Sequence, residues 1–195
     1  MPSRADSTAS VRNALRRFRR NRRGSAAVEF ALVAPVFFAL LFAIIETAIM
    51  FFAGQVLETV TQDAARLIMT GQAQAAKYTQ PEFKKLICGP PEVKGLIRVL
   101  FDCENGIFID VQSYPAFSSV KIIDPIDAAK NFVPNMKYCP GTNGDIVVMR
   151  VFYQWPLFVT GLGLDISNLS GSKRLLSATA AFRNEPFAAP PPPCS

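Results

Sequence analysis

Residues 25–54 read SAAVEFALVAPVFFALLFAIIETAIMFFAG, and Glu29 and Glu46 carry the only charges in the stretch. The uncharged run at its centre, residues 30–45, covers about 24 Å as a helix, so the flanks 26–28 and 47–52 are needed to cross a hydrocarbon core of about 30 Å. Both glutamates then fall toward the two membrane faces. There a carboxylate costs much less than the roughly 2.5–3.5 kcal/mol it costs at the centre. The stretch predicts a transmembrane helix. A core helix of a soluble protein seldom stays apolar for this length directly behind a run of arginines.

Upstream, residues 1–24 hold Arg4, Arg12, Arg16, Arg17, Arg19, Arg20, Arg22 and Arg23 against Asp6 alone, a net charge of +7. The remaining chain has 13 basic and 14 acidic residues, a net of −1, so the leader accounts for the whole of the overall +6. A nucleic-acid surface would place its basic residues on a folded element, whereas these end where the apolar run begins, and no nucleic-acid partner is expected. Arginines before the span and balanced charge after it predict a cytoplasmic N-terminus and an exported C-terminal domain. An Ala-x-Ala triplet at residues 73–75 lies too far beyond the apolar run to read as a secretory cleavage site.

Past Gly54, Val56, Val60, Ala64, Leu67 and Ile68 recur at three- and four-residue steps among Glu58, Gln62, Asp63 and Arg66. The span is therefore expected to continue as an amphipathic stalk helix over 55–78 that frays near Gly71. Residues 79–185 read as an exported α+β domain, with a short helix at 82–87, a Gly-Pro-Pro turn, and three strands at 107–114, 146–155 and 172–182. Ile107, Ile109 and Val111 share one face of the first strand and Asp110 and Gln112 the other. The second strand is apolar on both faces and is expected at the centre. A small antiparallel sheet packed on the stalk is the economical arrangement. Residues 186–195, with four consecutive prolines, should be extended or disordered.

Cys88, Cys103, Cys139 and Cys194 all follow the span, and on this topology they meet an oxidising compartment. Of three possible pairings, Cys88 with Cys103 closes the smallest loop and is favoured, leaving Cys139 to pin the tail through Cys194. Zinc is not expected, since there is no C-x-x-C pair and no histidine in the chain. The missing histidine also removes the commonest general base, and there is no phosphate-binding loop or nucleophile elbow. Asp124 and Asp127 flank Pro125 and read as a solvated turn. No cofactor and no enzymatic activity are expected.

At the leader boundary the sequence is Arg22-Arg23-Gly24-Ser25-Ala26-Ala27-Val28-Glu29-Phe30. This resembles type IV prepilin-like leaders, which an inner-membrane prepilin peptidase cuts after a glycine behind basic residues, with glutamate fifth in the mature chain. Counted from Ser25, Glu29 is fifth. The wider text RRFRRNRRGSAAVEFALVAPVFFALLFAIIETAIMF is similar to TadE-like proteins, minor pilins or pseudopilins of the tight adherence (Tad/Flp) pilus machinery. The stretches CPGTNGDIVVMRVFYQWP and SGSKRLLSATAAFRNEP also look like the longer members of that family. The resemblance implies a pilin-like α+β fold, processing between Gly24 and Ser25, and a bacterial inner-membrane protein with its domain in the periplasm. It also implies partners among other Tad/Flp components or pilin-like subunits. Where type IV pilins begin the mature chain with phenylalanine this chain has Ser25. Where Flp major pilins follow the glutamate with tyrosine it has Phe30, which fits a minor component. An uncleaved signal-anchored protein whose exported domain binds a partner is the alternative.

On a helix, a new α-ammonium at Ser25 and the Glu29 carboxylate stand at i and i+4, and they can also meet across adjacent subunits. Glu29, with Phe30 beside it, is thus the candidate assembly contact. Pro35 offers a kink within the span, and Glu46 a carboxylate that reaches the outer headgroups.

Overall fold

The computed structural model describes residues 24–89, 95–159 and 165–194. Helix α1 runs over Ser25–Met69, passing through Pro35. It is followed by α2 (Gln72–Ala75), α3 (Gln80–Cys88), α4 (Leu96–Leu100), β1 (Ile107–Tyr114), β2 (Ile146–Pro156) and β3 (Lys173–Arg183). The strands form one antiparallel sheet in the order β1-β2-β3, with β2 at the centre. The fold is therefore a long apolar N-terminal helix followed by a small α+β domain.

The chain divides into two compact units, the first ending at Ile44 and the second beginning at Ile45. In the first, the large apolar side chains from Val28 to Ile44 point outward on every side, among them Phe30, Leu32, Val36, Phe37 and Phe42. None of the most apolar part of this helix is buried within the protein. A helix apolar all round must be covered by something apolar, and no described part of the chain supplies that cover.

The second unit has one apolar core between α1 and one face of the sheet. Met50, Ala53, Leu57, Ala64, Ala65 and Ile68 from α1 join Ile107, Ile109 and Val111 of β1, Val147, Met149 and Val151 of β2, and Leu176, Ala178 and Ala180 of β3. The sheet residues alternate by two, as a strand with one face in a core requires. The buried face of α1 differs from the expected stripe, because Val56, Val60 and Leu67 lie at its rim, only partly buried. Its centre is Leu57, with Thr61 one turn on. Polar Thr61 enters the core satisfied, its hydroxyl donating to the Leu57 carbonyl at 2.7 Å. The core also starts earlier than the 55–78 stalk, since Met50 and Ala53 are already buried.

Helix α1 stops at Met69, where Gly71 takes a left-handed φ of 78°. The Phe187 ring lies against the position a Cβ would occupy there, so both conformation and space call for glycine. Helix α3 begins two residues before the expected helix because Thr79 and Glu82 form a capping box around Pro81.

Candidate functional site

At the N-terminus, Gly24 is exposed and directly precedes α1, with no described atom within 4 Å of where a Cβ would stand. Ser25 is the first helical residue, and Glu29, one turn on, is exposed, as is Phe30. The 24–25 junction thus stands at the start of a helix whose next five turns are apolar and uncovered by any described part of the chain.

In the second unit, Cys88 is disulfide-bonded to Cys103 and Cys139 to Cys194. The first bond joins the end of α3 to the turn that leads into β1. The second holds the Pro-rich tail, which has neither helix nor strand over residues 186–194. The tail is fixed at further points: the Glu185 N–H donates to the Met69 carbonyl at 2.9 Å, and Phe187 packs on Gly71.

The turn before β2, in the stretch CPGTNGD, is closed by both ends of the domain. Gln74, fully buried on α2, donates to the Pro140 carbonyl at 3.0 Å. Asn184, just past β3, donates to the carbonyls of Pro140 and Thr142 at 3.0 Å each. Asp145 accepts from the Thr142 N–H at 2.7 Å, and Gly141, with φ of 71°, has Ser113 and Asp145 too close for a side chain. These bonds account for Thr142 and Asp145 as structural residues.

On the sheet face away from α1, Asp110 and Arg150 form an ion pair that periodicity does not reveal. Asp110 is 1% exposed, and its Oδ2 accepts from Arg150 Nε at 3.1 Å and Nη2 at 2.7 Å. Its Oδ1 accepts from the Lys137 N–H at 3.0 Å, and Gln112 donates to both oxygens. Arg150 also donates to the Ile123 carbonyl at 2.7 Å. The pair therefore carries residues 123 and 137 of the long β1–β2 connection on the outer sheet face, where Phe132 packs on Phe108. The available sequence signal was an arginine inside a strand otherwise apolar on both faces.

A groove of about 1020 Å³ lies between α3, β1 and residues 134–136. Its polar groups are engaged in holding the fold: Gln80 donates to the Ile109 carbonyl at 2.7 Å, Lys84 to the Glu104 carbonyl at 2.8 Å, and Arg98 to the Gly89 carbonyl at 2.7 Å. Burial lowers the Lys84 pKa from its ordinary value, which nearby Asp102 partly offsets. Among the described residues no three histidine, cysteine or acidic side chains cluster as metal ligands. Asp124 and Asp127 lie in an exposed turn, accepting N–H bonds from Ile126 and Asn131 respectively.

Glu46 faces inward on its own domain. Its carboxylate accepts the backbone N–H groups of Phe158 and, at 3.0 Å, of Val159, which follow the end of β2. Its carboxylate thus has partners within the protein that the sequence reading does not supply.

An apolar helix that no described part of the chain covers, leading into a disulfide-bonded α+β domain, suggests a single-pass membrane protein. Residues 24–66 match the model of the TadE-like protein family, so this segment, from Gly24 through most of α1, is TadE-like. The family suggests a Tad pilus-related membrane protein. The match ends before α2 and leaves out the two domain stretches whose likeness to longer family members was noted from sequence. No curated protein and no solved structure matches the chain.

Proposed function

We propose that this chain is a TadE-like pseudopilin or minor pilin, cut between Gly24 and Ser25 by a prepilin peptidase, that takes part in assembling a Tad/Flp-type adhesion pilus. Its N-terminus is cytoplasmic, its helix is held in a bacterial inner membrane, and its disulfide-bonded domain is periplasmic. The observation that carries this reading is the junction itself: arginines, then Gly24, then an apolar helix with Glu29 fifth from the cut.

Cleavage removes the entire +7 leader and exchanges it for one α-ammonium at Ser25. A carboxylate near the membrane is far less costly beside a cation than alone, so Glu29 favours the N-terminus of a neighbouring subunit and sets axial register. Phe30, exposed beside it, supplies apolar contact. The role is structural rather than enzymatic.

N-terminal sequencing of the protein from cells with and without an active prepilin peptidase tests the reading. A mature chain beginning at Ser25 only when the peptidase is active supports it. An intact leader in both cases would favour an uncleaved signal anchor. Replacing Glu29 with Leu should leave membrane insertion intact and abolish co-assembly, and undiminished pilus formation would remove the role of Glu29.

A further inference from the structure

Residues 26–45 are twenty residues, which as a helix measure about 30 Å, the thickness of a hydrocarbon core. Glu46 therefore falls at one boundary of that core. One turn further, Met50 and Ala53 are already covered by the domain, at 5% and 0% exposure, so the membrane surface lies within about a turn of Glu46. In that same turn Ile49, Phe51 and Phe52 remain substantially exposed.

The bonds from Phe158 and Val159 to Glu46 hold the β2–β3 connection at this level. Leu157 turns into the core, but the Phe158 ring is 85% exposed, more than any other described large apolar side chain. The sequence carries no charge between Arg150 and Asp165, so no ionic group in that stretch opposes contact with the membrane interface. An aromatic ring held open at the level where a helix leaves the hydrocarbon meets the interfacial zone, which favours aromatic side chains.

We propose that Phe158 and Val159 insert into the interfacial region of the outer leaflet, giving the domain a second lipid contact beside α1. The inference rests on the reading of α1 as a spanning helix. Because the contact is apolar, zwitterionic lipid suffices, and raised salt leaves it in place.

The test uses the full chain reconstituted in phosphatidylcholine vesicles, with Trp155→Phe removing the only native tryptophan. An indole is then introduced singly by Phe158→Trp, by Phe38→Trp within the span, or by Phe117→Trp. Phe117 follows β1 at its Ile146-paired end, opposite the Pro156 end of β2 from which Phe158 emerges. All three rings are exposed, so the substitutions spare the core. Fluorescence should fall at least twofold for the Phe158 variant with lipids brominated on the upper acyl chain, and for the Phe38 variant, near the middle of the span, with lipids brominated toward the chain end. The Phe117 variant should respond only to aqueous iodide. Bromolipid quenching of the Phe38 variant with the Phe158 variant quenched by iodide alone, or shielded from both quenchers by another protein copy, overturns the inference and leaves the spanning helix standing. Absence of bromolipid quenching in the Phe38 variant overturns the spanning helix and this inference with it.

Discussion

Asp110 on β1 and Arg150 on β2 stand directly opposite each other in the sheet register and meet as a buried ion pair at 2.7 Å. Two charges removed from water in this way are tolerated because both are also bonded to backbone, Asp110 to Lys137 and Arg150 to Ile123. The pair thereby determines where the β1–β2 connection crosses the outer face of the sheet.

Asp110→Ala leaves the Arg150 guanidinium buried without its carboxylate and should cost about 3–5 kcal/mol of stability. Replacing both residues by apolar ones, Asp110→Leu with Arg150→Met, should recover most of that loss. Thermal unfolding of the two variants in detergent, followed by circular dichroism, checks the ordering.

The two candidate faces of α1 are separable by truncation. Leu57→Ala, at a side chain 1% exposed, should cost about 2–5 kcal/mol, whereas Val60→Ala at the rim should cost about 1 kcal/mol or less. Equal losses in the same unfolding assay would return the core to the stripe read from periodicity.

The Cys139–Cys194 bond spans 55 residues and holds the tail against the body of the domain. Cys139→Ser with Cys194→Ser should lower stability by about 2–4 kcal/mol and open the Pro-rich tail to protease, while the core stays resistant. Limited proteolysis followed by mass spectrometry reads both fragments, and a non-reducing digest reads the pairing directly.

Four exposed carboxyls, those of Glu82, Asp102, Asp127 and Asp165, are held below their ordinary pKa. In each the largest cause is a backbone N–H donor, from Thr79, Asn105, Asn131 and Ser167 respectively. The unfolded chain binds protons at these groups at higher pH than the folded one. Their stabilisation is therefore fully present above about pH 5 and is lost as pH falls through the lowered values. The unfolding midpoint should be flat from neutral to about pH 5 and fall below about pH 4, with Glu82→Gln giving a shallower fall.

Sequence alone determined the features that rest on local chemistry. An apolar run that with its flanks is long enough to cross a bilayer, behind eight arginines, is a linear pattern, and so is the spacing from Gly24 to Glu29. The period-two strands were equally legible: Ile107–Tyr114 stands as read, and β2 and β3 shift by only one residue at their ends. Tertiary structure decided the matters in which a residue's partner is distant in the chain. Which face of α1 is buried was set by the sheet residues 107–111, 147–151 and 176–180 that join it in the core, leaving Val56, Val60 and Leu67 at the rim. Asp110 and Gln112 read as one polar face of a strand, and only the register with Arg150 made that face a buried one. Glu46 gained its two backbone N–H partners from Phe158 and Val159, 112 and 113 residues later in the chain. Periodicity records how much of a residue prefers to be buried, but a polar group's place follows from whether folding brings it a partner, and that is fixed only when the chain closes on itself.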